Sequence, residues 1–252
     1  GLKERGVPIV LDRATPTIGG FPGAVQLHWG AGHVSIMDGT LTGDDVTSVH
    51  PLYPLGAVTI RMTHGAIHHG GMSWGKAASL TADLSTTSDD PSGVPGYRLD
   101  MTAMDIATPI PGFDPILGAR LVMTWPFDLM PPVTHDKAKA FYTRGGTVEV
   151  HHLALSTDAP SLQGSGTLAL DEDLQPMAAF AVDITHVDHV LKVLQKNRWI
   201  SAAEAALASL PLAFFAADDG ARHRLSITLQ DRQLSLGPIP LVMMRPISWP
   251  PS

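Results

Sequence analysis

Apolar and polar residues alternate with a period of two through much of this chain, and this feature most constrains its fold. Three such segments follow one another in the second half: TVEVHHLALST, SLQGSGTLALD and MAAFAVDIT. Leu168 and Leu170 share one face of the second segment, and Phe180, Val182 and Ile184 share an apolar face of the third. Such segments, separated by turn residues, predict an antiparallel β-meander.

The same pattern recurs in the first half. Two segments meet at Asp38-Gly39, a strong hairpin signal. The run from Gly56 to Ile67 would extend roughly 40 Å at about 3.3 Å per residue, which exceeds the usual strand length. Further strands are expected at Ser79 to Thr86, Tyr97 to Ala107 and Arg120 to Trp125. Strands of this length predict a long, curved sheet.

A change of phase predicts a β-bulge near His151-His152. Val148 and Val150 occupy even positions, whereas Leu153 and Leu155 occupy odd ones. One extra residue in the strand would return both pairs to the same face of the sheet.

Helices are few. Val187, Val190, Leu191 and Leu194 fall at i, i+3, i+4 and i+7, which predicts a helix with one apolar stripe. Ser201 and Glu204 form a candidate capping box for a second helix. The segment THDKAKAFYTR is expected to form one or two helical turns between Thr134 and Gly145-Gly146.

The fold class is therefore mainly β: a long curved antiparallel sheet with two short helices near the C-terminus. With 24 Gly, 21 Pro and 16% charged residues, the chain is rich in turns. We predict one β-rich domain over residues 1–252, with a subdivision near 130–145 as the alternative. A second sheet is the usual cover for an apolar sheet face, as in a sandwich. The alternative is a gutter or half-barrel whose concave face stays open.

Composition and motifs exclude several function classes. A net charge of −7 with 17 scattered basic residues argues against binding nucleic acid or anionic lipid head groups. The chain has no cysteine and therefore no thiolate chemistry. It contains no GxSxG, P-loop, GxGxxG or HExxH motif. The sequence nominates no catalytic residue and no cofactor, and we predict a protein that is not an enzyme.

Four histidines are the weak candidates for a metal site. In strand phase Met62, His64 and His68 lie on one face. His64 and His68 would then be about 13 Å apart at roughly 3.3 Å per residue, too far for one ion. His186 and His189 have helical i, i+3 spacing and would converge only if a helix begins early. Structural or solvent-exposed roles are the alternative for all four, and no metal is assigned.

The apolar strand faces form the candidate ligand site. Two helices are too few to cover them, so surplus apolar surface could hold a lipid or another hydrophobic molecule. The residues expected to line it are Val58, Ile60, Met62, Leu168, Leu170, Phe180, Val182, Ile184, Leu225, Ile227 and Leu229.

The C-terminal third resembles a known group of proteins. The order of strand, LQGSGTLALDEDLQP, strand, helix VDHVLKVL, second helix and LSITLQDRQLSLGPIPL resembles an uncharacterised, mainly alphaproteobacterial family. The segment GFPGAVQLHW is similar to that family's early signature. The resemblance implies a β-rich periplasmic domain with an N-terminal membrane anchor, similar to the AsmA and TamB group. The β gutters of that group are thought to carry lipids between membranes. It carries over no catalytic residue.

From these observations we expect binding or transfer of a lipid or other hydrophobic molecule in the cell envelope. The expected place is the periplasm, at the inner membrane, through an anchor outside this chain. One alternative is a scaffold or assembly factor that binds envelope proteins by a sheet edge. A further alternative is a hydrolase of envelope polysaccharide or lipid, which would need clustered Asp, Glu or His in a cleft.

Overall fold

One antiparallel sheet of 13 strands dominates the structure, and each strand is hydrogen-bonded to the next along the chain. The structure is a computed structural model, and it describes residues 17–19, 24–36, 39–51, 57–69, 72–87, 96–108, 112, 115–126, 129, 133–158, 160–198, 200–203, 205–206, 222–237 and 239–251. All the strand pairs are antiparallel and consecutive in sequence, so the sheet is an up-and-down meander.

The strands are β1 (Thr17–Gly19), β2 (Ala24–Ile36), β3 (Gly39–Pro51), β4 (Val58–His69), β5 (Met72–Thr87), β6 (Gly96–Ala107), β7 (Ile116–Pro126), β8 (Val148–Thr157), β9 (Ser161–Leu170), β10 (Pro176–Ile184), β11 (His223–Gln230), β12 (Gln233–Leu236) and β13 (Ile239–Met243). Helix α1 (His135–Thr143) lies between β7 and β8, and helix α2 (Val187–Lys196) lies between β10 and β11.

The prediction of a mainly β protein with a long curved antiparallel sheet is confirmed. Ile36 pairs with Gly39, so β2 and β3 form the expected hairpin, with Gly39 already inside the second strand. The register shifts between Val150 and Leu153, where the bulge was expected. All the described strands belong to one sheet, so the two-sheet sandwich is wrong for this part of the chain. β7 and β8 pair across residues 130–145, and the domain count stays a prediction.

Both helices that the structure describes were expected. Thr134 is the N-cap residue of α1 but its side chain makes no capping hydrogen bond, and Gly145 after the helix has a left-handed φ of 64°. After α2, Ala202-Ala203 has helical conformation, and Ser201 accepts a backbone hydrogen bond from Ala205. Glu204 and residues 207–211, where the expected second helix would continue to Pro211, lie outside the described residues.

One face of the sheet is apolar in row after row, because residues paired across antiparallel strands point to the same side. One row crosses from β3 to β7 as Val46, Met62, Leu80, Ala103 and Ala119. A second row crosses from β4 to β11 as Ile60, Ala82, Met101, Leu121, Leu153, Gly164, Val182 and Leu225. A third row crosses from β4 to β12 as Val58, Leu84, Leu99, Met123, Val150, Gly166, Phe180, Ile227 and Leu236.

The opposite face is polar. Its central row crosses from β3 to β11 as Thr47, Arg61, Thr81, Thr102, Arg120, Ala154, Gln163, Asp183 and Arg224. The sheet therefore has one polar face that can contact solvent and one apolar face that must be shielded from it, the arrangement typical of antiparallel sheets.

Helix α2 covers the apolar face over its last strands. Val187, Leu191 and Leu194 of the helix form a buried cluster with Val182 and Ile184 of β10. Leu236 and Ile200 complete that cluster. The charged residues Asp188 and Lys192 lie on the exposed side of the helix and form an i, i+4 ion pair at 3.4 Å. The apolar stripe predicted from sequence is therefore the contact surface of α2.

The two ends of the sheet differ. We call the end at which β6, β8 and β10 finish the helix end, because α2 follows β10 there. The opposite end, the tail end, carries residues 244–250, which run back across the turns. Gln175 exchanges two hydrogen bonds with the Ile247 backbone, and Trp249 Nε1 donates to the Leu174 carbonyl at 2.8 Å. The Pro250 carbonyl accepts from His135 at the start of α1.

In β4 and β6 the alternation of side chains between the two faces of the sheet shifts by one residue. The shift occurs along one line that crosses these strands. His64 in β4 and Asp105 in β6 have left-handed φ values of 48° and 50°. On one side of this line the buried residue of β4 is Met62, and on the other Gly65 and Ala66 are both buried. A Cβ on Gly65 would lie 4.0 Å from the Cβ of Leu80, which shares the face of Met62. The prediction that His64 shares the face of Met62 is therefore wrong. Met62 is 1% exposed, whereas the His64 side chain is 73% exposed and lies 3.4 Å from Asp44.

Two glycines mark the place where β9 and β10 approach most closely. A Cβ on Gly164 would lie 2.3 Å from the Ala181 carbonyl oxygen, and one on Gly166 would lie 2.3 Å from the Ala179 oxygen. These contacts are with backbone and cannot be relieved by moving a side chain. Glycines of this kind are typical of tight bends in curved sheets.

We expect Gly164→Ala to lower the free energy of unfolding by about 3 kcal/mol, at the upper end of the overpacking range. Gly65→Ala is the matched control, because its Cβ would meet nothing closer than 3.6 Å and its φ is not left-handed. The control should change stability by less than about 1 kcal/mol, towards higher stability. Urea denaturation measures both, and equal losses in the two variants would contradict the close approach at β9.

Candidate ligand-binding face

The middle of the apolar face is only half-buried. On β4 to β8 the second and third rows carry apolar side chains, and all of them except the buried Val150 retain intermediate exposure. We call this surface the open band, and its residues are Val58, Ile60, Ala82, Leu84, Leu99, Met101, Leu121, Met123 and Leu153. None of them is charged or polar, so the band offers hydrocarbon contacts alone.

Side chains of the sheet itself bury the row next to the open band. Val46, Met62, Leu80 and Ala103 are at most 7% exposed and form one cluster. Its partly buried neighbours, such as Ile60 and Met101, also belong to strands. Within the described ranges no helix residue joins this cluster, in contrast to the cluster beneath α2. Within the described part of the chain, side chains of neighbouring strands contribute the burial of this cluster.

All of the residues predicted to line the site lie on the apolar face, but in three different surroundings. Phe180, Val182, Ile184, Leu225 and Ile227 lie in or against the cluster beneath α2 and are filled by protein. Met62 is buried in the cluster that it forms with Val46, Leu80 and Ala103. Val58 and Ile60 lie in the open band. Leu168, Leu170 and Leu229 lie towards the tail end of the sheet.

Most of the open band was not nominated from sequence. Leu99 and Met101 lie on β6, and Leu121 and Met123 lie on β7, both of which were expected strands. The signal that could have found them is the alternation within these strands, once their inward phase was compared with that of β8. The cross-strand register that aligns them is a long-range property and cannot be read from one segment.

The histidines do not converge in the part of the chain that is described. His64 is exposed, and the side chain of His68 lies outside the described atoms. His186 is the exposed N-cap residue of α2, and His189 Nε2 lies 3.5 Å from the Gly112 carbonyl oxygen. Among described residues there is no group of three His, Cys, Asp or Glu side chains that could hold a metal ion. No helix in the described part of the chain is both long and apolar enough to cross a bilayer.

The polar face carries a separate shallow cavity of about 320 Å³. The small residues Gly118, Ala154 and Ser156 line it. The longer side chains of Arg120 and Gln163 line it as well. The Ser156 hydroxyl donates to the Gly118 carbonyl at 3.4 Å. A second serine of the cavity, Ser161, shares a hydrogen bond of 2.9 Å with the Thr185 hydroxyl. In the described chain neither serine is paired with an imidazole or a carboxylate, so the geometry does not resemble an activated nucleophile.

Two arginine–aspartate pairs bind neighbouring strands together on this polar face. Arg120 donates from Nη2 and Nε to Asp100 at 2.8 and 3.2 Å. Arg224 donates from Nε and Nη2 to Asp183 at 3.0 and 3.2 Å. The hydrogen bonds from the guanidinium groups lower the pKa of each aspartate below its usual value. These pairs stabilise the scaffold beneath the open band and leave the band itself uncharged.

These pairs predict a loss of stability in acid. Because the folded pKa of Asp183 lies below its unfolded value of about 3.9, its contribution is complete at neutral pH and is lost as pH falls through the folded pKa. Asp183→Asn should therefore be less stable at pH 7 and lose less stability between pH 7 and pH 3. Asp100→Asn should also be less stable at pH 7 and lose less stability in acid. Its loss of stability at pH 7 should be at most about 1 kcal/mol, because the pair is partly exposed.

The measurement is chemical denaturation at a series of pH values. Asp188→Asn is the control, because its carboxylate is 72% exposed and pairs only with Lys192 across one helical turn. That variant should lose more stability between pH 7 and pH 3 than Asp183→Asn does, because it keeps the Asp183–Arg224 pair. An Asp183→Asn protein with an unchanged pH dependence would show that the Arg224 pair does not contribute.

Comparison with known proteins identifies the chain at the level of a family. A family model described as an uncharacterised protein conserved in bacteria (DUF2125) matches residues 76–245. No curated protein and no solved structure gave a match. The matched part runs from β5 to the tail and includes α2 and most of the open band. Since it covers more than half of the sequence, this chain belongs to the DUF2125 family of bacterial proteins.

Proposed function

We propose that this protein binds and transfers a lipid, or another molecule with a long hydrocarbon part, and does so without catalysing a reaction. The observation that carries the proposal is the open band. Five neighbouring strands present half-buried apolar side chains there, and none of these residues belongs to the cluster beneath α2. Continuous apolar surface that is only partly buried is typical of a ligand or partner site.

The chemistry of the band favours hydrocarbon over head group. It lacks charged side chains, so it offers no specific contact to a phosphate or a carboxylate. Met101 and Met123 are flexible and adapt to chains of different shape. Burial contributes about 0.8 kcal/mol per methylene, so a dozen methylenes would contribute roughly 10 kcal/mol. Part of that offsets the cost of association.

The dimensions of the face fit an extended chain. The open band crosses five strands, from β4 to β8, a distance of about 19 Å at about 4.8 Å between neighbouring strands. Along each strand its two rows lie two residues apart, about 7 Å. A hydrocarbon chain on the band would therefore lie across the strands.

The proposal includes a place in the cell. The C-terminal third resembles periplasmic proteins with an inner-membrane anchor, similar to the AsmA and TamB group, and this resemblance supports a role in the envelope. In the full-length protein the anchor would lie outside these 252 residues. Fractionation of cells that express the full-length protein tests this, and recovery from the cytoplasm would contradict it.

Lipid binding is tested with the purified protein. Solvent extraction followed by mass spectrometry should detect co-purifying lipid, and a fluorescent fatty acid should bind to the delipidated protein. Met101→Gln should weaken the binding of that fatty acid about tenfold, equivalent to about 1.4 kcal/mol, because it places an amide in the band. Met101→Gln/Leu121→Gln should weaken it further.

Thr102→Gln is the matched control. Thr102 is the next residue on β6 and points to the polar face, where it pairs with Thr81 and Arg120. It introduces the same side chain into the same strand and should leave the affinity unchanged. Equal effects of the two substitutions, or a complete absence of bound lipid and probe, would contradict lipid binding on the band.

A scaffold function is the second candidate, favoured by one observation at the sheet edge. β13 is the last strand of the described sheet, and its Val242 and Met243 are 46% and 56% exposed. An edge strand with exposed apolar side chains can add a strand of a partner protein. A photo-crosslinking residue at Met243 should then give a discrete adduct in cells, whereas one at Lys192 should not. No adduct at Met243 would contradict this function.

A further inference from the structure

The shallow cavity on the polar face lies opposite the open band, near the helix end of the sheet. Gly118, Ser156 and Ser161 pair across β7, β8 and β9 and form one row of this face. Ala154 and Gln163 belong to the neighbouring central row. Because these residues point away from the apolar face, a molecule in the cavity would not contact the open band.

The cavity lies where short side chains stand between longer ones. Gly118 has no side chain, and a Cβ there would lie 3.4 Å from Ser156 Oγ and 3.5 Å from Met104 Sδ. Met104 and Arg120 line the cavity from β6 and β7, and Asp183 lines it from β10. β7 and β10 are three strand spacings apart, about 14 Å. With a volume of about 320 Å³, the cavity is at the lower end of the range for small-molecule sites.

The polar groups that remain free in the cavity are mainly hydrogen-bond donors. Arg120 uses Nε and Nη2 to bind Asp100, and its Nη1 has no partner among the described residues. The side-chain amide of Gln163 has no partner in that part of the chain either. Both carboxylate oxygens of Asp183 already accept hydrogen bonds from Arg224. The cavity therefore favours a ligand that supplies acceptors.

Arg222 gives the cavity a positive charge. Its side chain is exposed, and it forms no ion pair within the described ranges. The hydrogen bond from Arg224 is the main cause of the lowered pKa of Asp183, and Arg222 adds a smaller Coulombic contribution. Arg222 is therefore close to this carboxylate, which is already paired. Asp105 and Asp158 lie farther towards the helix end and do not line the cavity.

We propose that this cavity binds a small hydroxylated molecule through a carboxylate or phosphate group. Arg222 pairs with the anionic group, and the Gln163 amide donates a hydrogen bond to it. At the other end of the cavity Arg120 Nη1 donates to a hydroxyl oxygen of the molecule, whose carbon atoms contact Met104 and Ala154. This site is separate from the lipid site proposed on the open band, because the two lie on opposite faces of the sheet.

Calorimetric titration of the purified protein with inorganic phosphate, glycerol phosphate and glycerate tests the site. The two organic anions should bind saturably and more tightly than inorganic phosphate, and added salt should weaken their binding by screening Arg222. Arg222→Gln should weaken it by about tenfold, because it removes a charged hydrogen-bond donor. Arg245→Gln is the matched control. It makes the same substitution at an exposed arginine of the tail and should leave the affinity unchanged.

Gly118→Val tests the cavity without changing a charge. The new side chain would point to the polar face between Met104 and Ser156, and its Cβ would make only ordinary contacts. The variant should therefore stay folded and lose binding of both organic anions. Ala181→Val is the matched control, at an exposed position of the polar face that does not line the cavity.

Binding of either organic anion, lost in Arg222→Gln and Gly118→Val and retained in both controls, supports the site. Failure of both organic anions to bind overturns it, and so does an unchanged affinity in Arg222→Gln or in folded Gly118→Val. Sedimentation with vesicles of phosphatidylcholine and phosphatidic acid tests for a lipid head group instead, and binding to the vesicles alone overturns the small-molecule ligand.

The site and the proposed function fail separately. Binding of a fluorescent fatty acid to the open band should be unchanged in Arg222→Gln, and glycerol phosphate should not displace that fatty acid. Displacement would show that both ligands occupy one site, which overturns the separate cavity site. A protein that binds glycerol phosphate but no fatty acid would retain this site and lose the lipid function.

Discussion

A single sheet with one continuous apolar face must find cover for that face, and the rest of this structure depends on how it does so. Burial of a large aliphatic side chain stabilises a fold by about 1.5–3 kcal/mol, and here whole rows of such side chains cross the sheet. Sandwiches solve the problem with a second sheet. This chain uses its strands consecutively in one sheet, so the described elements outside the sheet that contribute buried apolar residues are α2 and α1, the latter with Ala138 and Phe141.

The cover is uneven. At the C-terminal strands α2 seals Val182 and Ile184 completely. At the first strands the described residues that pack around Met62 and Leu80 all belong to the sheet. Two local features shape the sheet for this: the close approach of β9 and β10 at Gly164 and Gly166, and the change of phase near His64. Between these two regions the apolar side chains lie outside the cluster beneath α2 and are only partly buried by their neighbours in the sheet. These side chains form the open band.

Sequence predicted the parts of this arrangement that are local. The alternation of β8 to β10, the bulge after Val150 and the stripe of α2 are each contained in a short segment, and each is confirmed. The phase of His64 was wrong because a left-handed φ in mid-strand leaves no mark in a period-two pattern. The open band needed more than one segment, since Met101 and Leu121 become neighbours only through the pairing of β6 with β7. Leu225 and Ile227 were nominated correctly as apolar-face residues, yet sequence could not show that α2 would cover them.

The position of the open band gives it a physical meaning that its composition alone would not. Half-buried apolar side chains scattered over a surface are ordinary, but here they are adjacent in two rows that cross five neighbouring strands. The family match begins at residue 76 and includes β6 to β8 and α2, so most of the band lies in the matched part of the chain. Because α2 fills the same apolar face on β10 to β12, the proposed binding of a hydrocarbon chain depends on the part of the face that is left half-buried.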